Sequence, residues 1–162
     1  GSSVLGDRQF LRHRLGYVPQ SPELAPELTV KQQLTLWQAA CGLSGPLPGD
    51  VLGLLGLESL LKTPIRALSG GMAQRVSIAL SLLARPGVLL MDEAASGLDR
   101  GYVPRLLDWL EAYVRSGGSL VWCSHRPEEL DRLCGAVLRL EEGRLIPMQG
   151  RPPWQNRKGG YI

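Results

Sequence analysis

"RALSGGMAQRVSIALSLLARPGVLLMDEAASGLD", residues 66–99, packs three signals into one run. Ser69-Gly70-Gly71 opens a stretch of helical period. Four apolar residues, Val88 to Met91, lead into the adjacent carboxylates Asp92 and Glu93, and a Ser96-Gly97 turn ends on Asp99. The first is an anion device. Two glycines let backbone N–H groups approach a ligand, Ser69 can cap the helix, and the helix N-terminus adds about half a positive charge. The second places carboxylates at a strand's carboxyl end, where open α/β sheets bind ligands. A hard cation such as Mg²⁺ takes carboxylate oxygen there and keeps its waters, and a neighbouring carboxylate can orient or deprotonate water. Taken singly, each stretch also reads as an ordinary feature: a Ser-capped helix, a solvated acidic turn, a loop before a helix.

Working outward, helices alternate with buried strands, the pattern of an α/β layered domain. "LGYV" (15–18) is a short buried strand stopped by Pro19. A Pro-rich loop follows, and Thr29 with Gln32 three residues on predicts a capping box opening a helix to about Cys41. A short helix is expected over about 50–57. Met72, Val76, Ala79, Leu80 and Leu83 fall on one face of a 3.6-period helix starting near Gly71. "VLLM" (88–91) is apolar throughout, as in a parallel strand covered on both faces. A helix over about 103–115, a strand over 119–124 and a helix opened by Pro127-Glu128-Glu129 come next. "AVLRLE" and "RLIPM" around Glu142-Gly143 predict a closing hairpin.

Bulk properties bound the answer. At 162 residues the chain is the size of one domain. A net charge of +3, scattered along the chain, gives no basis for nucleic-acid binding. Cys41, Cys123 and Cys134 form neither a disulfide framework nor a Cys-x-x-Cys metal site, which fits a reducing, cytoplasmic compartment. No run approaches the ~20 apolar residues of a membrane span, so a membrane connection would run through a partner. Residues 1–3 read as a cloning remnant and 151–162 as a flexible tail.

In their order these stretches resemble the ATP-binding cassette (ABC) family of ATPases, over about residues 4–150. "LSGGMAQR" (68–75) is similar to the family signature, "VLLMDE" (88–93) to the Walker B strand and "SGLD" (96–99) to the D-loop. Gln20, just after "GYVP", looks like the Q-loop glutamine, and His125 in "CSHRPEE" like the switch histidine. The resemblance implies a partial P-loop NTPase-like α/β sheet flanked by helices, with a small helical subdomain at about 28–84. It implies ATP and Mg²⁺ as cofactors. Asp92 and Gln20 would attend the metal, Glu93 would be the general base, and His125 would contact the γ-phosphate. Gln20 would also link metal and water to a transmembrane transporter subunit. Ser69, Gly70, Gly71 and Gln74 would face the nucleotide of a second nucleotide-binding domain, and Asp99 would cross that head-to-tail interface.

Two departures stand out. Ala94-Ala95 occupies the place where the family has a proline and a small hydroxyl residue, which predicts a looser turn. More consequentially, a phosphate loop needs G-x-x-x-x-G-K-[ST], so that amides cradle the phosphates and the lysine reaches the β/γ oxygens. The three lysines are Lys31, Lys62 and Lys158, and only Lys62-Thr63 comes near, with Leu61 where the second glycine belongs. The expectation is therefore a domain resembling the family without its N-terminal part, inactive alone, with exposed sheet edges that favour self-association. A non-catalytic module completing a composite site is the alternative. A non-transport ABC ATPase of DNA repair or chromosome organisation fits less well, since only 47 heptad-free residues separate Gln20 from Leu68. "LTV" at the start of the helical subdomain leans towards exporters.

Overall fold

The apolar run 88–91 forms the middle strand of a parallel sheet. In the computed structural model, which describes residues 14–148, β2 (Val88–Asp92) lies between β1 (Leu15–Val18) and β3 (Ser119–Cys123), in the order β1-β2-β3. Leu15 pairs with Val88 and Val18 with Met91, while Val88 pairs with Ser119 and Asp92 with Cys123. All three strands therefore end at one edge. The readings of residues 1–3 and 151–162 lie outside the described residues.

Between β1 and β2 the chain builds α1 (Val30–Ala40), α2 (Gly49–Leu55) and α3 (Gly70–Leu82), with 3-10 turns at Glu58–Leu60 and Ile65–Ala67. The Thr29–Gln32 capping box forms as expected: Gln32 N donates to Thr29 Oγ1 at 3.3 Å, and Thr29 N donates to Gln32 Oε1 at 2.9 Å. The start of α1 is also tied to the return of the chain. Val30 N donates to Thr63 O at 3.0 Å and Ile65 N to Leu28 O at 2.8 Å. Helix α2 ends on Gly56 in the left-handed region at φ +58°, where a side chain is disfavoured.

The one-faced reading of α3 is too narrow. Val76, Ala79 and Leu83 are buried as expected, but so are Gln74, Arg75, Ser77, Ile78, Ser81 and Leu82. The helix packs against β1, α1 and α2 at once, so polar positions that would face water on an amphipathic helix are enclosed here. Buried leucines such as Leu34, Leu55 and Leu89 each contribute about 1.5–3 kcal/mol.

After β2, α4 (Tyr102–Arg115) crosses over to β3, and α5 (Pro127–Leu133) follows. The closing hairpin, β4 (Leu138–Glu141) and β5 (Arg144–Pro147), is antiparallel and shorter than the sequence suggested. Leu138, Leu140 and Leu145 on it are exposed. No helix among the described residues is long and apolar enough to cross a membrane.

Candidate nucleotide-facing site

The common edge of the sheet gathers the first group of residues. Gln20 is exposed two residues beyond β1, Asp92 ends β2, and His125 follows β3 by two residues. His125 reaches back across the edge, its Nδ1 lying 3.0 Å and 2.9 Å from the two carboxylate oxygens of Glu93. His125 is 70% exposed and Glu93 20%, so the pair sits at the rim of the sheet with the histidine outermost.

Glu93 adopts φ +49°, an uncommon conformation for a side chain of this size and one that often marks a functional turn. Local bonds hold it there. Its N–H donates to Cys123 O at 2.9 Å, and its carbonyl accepts from Ser96 N at 2.9 Å and Ser96 Oγ at 2.8 Å. Ala94 and Ala95 are 0% and 2% exposed, so the substituted turn is closed and packed, not loosened.

Three acidic, histidine or cysteine ligands in one cluster do not occur among the described residues. Asp92 is half-buried at the strand end.

The carboxylates register on a neighbouring thiol. Burial, and then the negative charges of Asp92 and Glu93, push the Cys123 thiol above its usual pKa. A raised pKa means less thiolate at neutral pH. Although exposed, Cys123 is expected to react with iodoacetamide at pH 8 several-fold more slowly than free cysteine, and Asp92→Asn to speed it about twofold. Peptide mapping of the alkylated chain over time checks this; equal rates in both proteins would show that Asp92 does not act on the thiol.

The second group lies at the start of α3. Ser69 caps the helix, accepting from Met72 N at 3.3 Å, and Ser69 and Gly70 are exposed. A β-carbon on Gly70 would meet no heavy atom within 4 Å, so this face is open. Gly71 is different. A β-carbon there would lie 2.9 Å from Gly97 O and 3.1 Å from Asp99 Oδ1, so the helix start and the 96–99 turn are in direct contact. Asp99 itself is 59% exposed.

Gln74 is placed differently from Ser69 and Gly70. It is 2% exposed and its amide donates to Ala94 O at 3.2 Å, so it braces the turn from behind and does not face outward. The burial of α3 on most sides turns it inward.

Sequence reading missed two residues behind His125. Glu129 is 4% exposed, accepts from Ser124 Oγ at 2.7 Å, and takes Arg126 Nη1 at 3.3 Å. Arg126 N also donates to Ser124 Oγ at 3.1 Å. The turn carrying His125 is thus bolted on both sides. In sequence, Glu129 looks only like a favourable first-turn acid on α5, and nothing in "PEEL" separates it from Glu128.

Comparisons with known proteins agree on one relationship. A family model described as ABC transporter matches residues 2–96. Nod factor export ATP-binding protein I of Ralstonia nicotianae is 36% identical over 157 residues, covering 94% of this chain and 48% of that protein. Linearmycin resistance ATP-binding protein LnrL of Bacillus subtilis is 29% identical over 165 residues, covering 99% and 53%. The chain spans about half the length of these curated relatives. A solved ATP-binding subunit of an ABC transporter superposes with a TM-score of 0.80 at 29% identity, covering 90% of this chain and 62% of that one. A dimeric ATP-binding cassette bound to ADP and Pi shares the fold at a TM-score of 0.73 and 23% identity, covering 88% and 66%.

Proposed function

Because the chain belongs to the ABC transporter family, we propose that it forms the signature and Walker B part of a subunit that couples ATP hydrolysis to transport. One observation carries this reading. Gly71, next in chain to the exposed Ser69 and Gly70, lies against the exposed Asp99, so the start of α3 and the carboxylate turn adjoin at the surface. That surface suits a phosphate chain presented by a facing subunit, in a head-to-tail pair with a second nucleotide-binding domain.

At the sheet edge, Asp92 would hold Mg²⁺, whose chemistry is to neutralise and orient phosphate oxygens. Glu93 accepts a proton from the attacking water, and His125, one contact away, orients that carboxylate through Nδ1 and contacts the γ-phosphate with the rest of its ring. Gln20 extends from the same edge towards a transmembrane partner. The subunit would then be cytoplasmic and attached to the membrane through that partner. The name of one relative, Nod factor export ATP-binding protein I, supports an export direction.

The 162 residues contain no glycine–lysine phosphate loop, so their own edge retains MgATP poorly and the chain alone is inactive. The carboxylate edge then contributes little by itself, and the signature face serves a nucleotide held elsewhere. Isothermal titration of the chain with MgATP is expected to show no binding below millimolar concentration, whereas an intact ABC ATP-binding subunit loaded with MgATP associates with it. A micromolar isotherm for the chain alone would overturn the first expectation, and failure to associate with any intact subunit the second.

A further inference from the structure

Arg75 is one turn inside α3 and 5% exposed, yet it is incompletely satisfied. Its Nη1 donates to Leu55 O at 3.0 Å and Gly56 O at 3.3 Å, closing the C-terminal end of α2. Its Nη2 lies 3.8 Å from Asp99 Oδ2, an ion pair just beyond hydrogen-bond length. Its Nε has no hydrogen-bond partner among the described residues. The guanidinium sits 4.3 Å from the Tyr102 ring centroid. Arg105, on the same ring at 5.4 Å, donates Nη2 to Gly53 O at 2.7 Å. The Tyr102 hydroxyl stands only 2.1 Å from where a β-carbon on Gly56 would be. A buried donor left without a partner works against stability, so its position calls for another explanation.

From this geometry we infer that Arg75 is a positioning residue: it ties the α2 end to Asp99, so that the Asp99 carboxylate and the Ser69–Gly71 face are held as one surface. A planar five-donor fork can serve two carbonyls on one side and a carboxylate on the other, which an ammonium cannot. The inference rests on the proposed role of that surface, and deepens it by naming what fixes its shape.

Amide exchange in the 162-residue chain tests the strut without any nucleotide. Tyr102 N, which donates to Asp99 O at 2.9 Å, reports one end, and Leu57 N, which donates to Leu52 O at 3.0 Å, reports the other. Arg75→Met is expected to speed exchange at both by about tenfold while β2 amides stay unchanged. Arg75→Lys should keep Tyr102 protected and loosen Leu57, because the charge survives and the fork does not. Asp99→Asn should loosen Tyr102, and adding it to Arg75→Met should change nothing further, as expected of residues acting through one contact. Multiplying effects, or a Lys variant that treats both ends alike, would overturn the strut. Should Arg75→Met fail to fold, the Lys variant alone decides. In the mixture with an intact MgATP-loaded ABC ATP-binding subunit, Arg75→Met should weaken association about tenfold, with partial recovery in Arg75→Lys. If the unaltered chain does not associate, the facing-subunit reading falls, and the exchange pattern still judges the strut.

Discussion

Gly16→Val is expected to cost about 3 kcal/mol of stability, a large share of what a domain of this size has. Gly16 lies in β1, paired with Leu89 of β2. A β-carbon there would be 2.6 Å from Ser81 O, 2.7 Å from Leu89 Cδ2 and 2.9 Å from Pro86 Cγ. The leucine can turn away, but the Ser81 carbonyl belongs to the last turn of α3 and the Pro86 ring is fixed. Valine therefore forces β1 away from the sheet or α3 away from β1, and either opens the main core. Gly87→Ala is the matching control, since nothing lies within 4 Å of its added carbon. Urea unfolding followed by far-UV circular dichroism measures both. A Gly16→Val midpoint equal to that of Gly87→Ala would mean that β1 and α3 are not packed as described.

Gly70→Val and Gly71→Val are expected to weaken association with a nucleotide-loaded partner by different routes. Either should weaken it about a hundredfold, by removing close backbone approach to a phosphate chain, a loss of about 2.7 kcal/mol. At Gly70 the added side chain stands in open space and meets only what arrives. At Gly71 it collides with Gly97 O and Asp99 Oδ1 even in the isolated chain, so the 96–99 turn must shift. Amide exchange over residues 96–102 should therefore change in Gly71→Val and not in Gly70→Val. Light scattering or titration with an intact ABC subunit reads the association. Gly70→Val binding as well as the unaltered chain would remove Ser69–Gly70 from the nucleotide-facing surface.

Much of this site is legible in the chain because its parts depend on backbone position. Strand ends, caps and glycines are local features, so Asp92, Glu93, Ser69 and His125 could be placed before any contact was known. The capping box at Thr29 is another local device that needs only three residues to declare itself. Tertiary enclosure is what local pattern does not carry. Gln74 and Arg75 end the signature, and their polar side chains suggest an outward face. Only the arrival of α1, α2 and the 94–99 turn, distant in sequence, turns them inward. Glu129 is hidden for the same reason, being buried by a fold that brings Ser124 and Arg126 round it.

The strand register also sets a timetable. Leu15 can find its partner only when Val88 has been made, and β2 in turn waits for β3 before it is covered on its other side. At about 5–20 residues per second of synthesis, several seconds separate β1 from its β2 partner on the ribosome. During that interval the stretch tied by Thr29, Thr63 and Ile65 can close on itself, because its bonds span a shorter loop. The bonds joining Val30 to Thr63 and Ile65 to Leu28 thus close a shorter loop than the pairing of Leu15 with Val88, and need less of the chain to have been made.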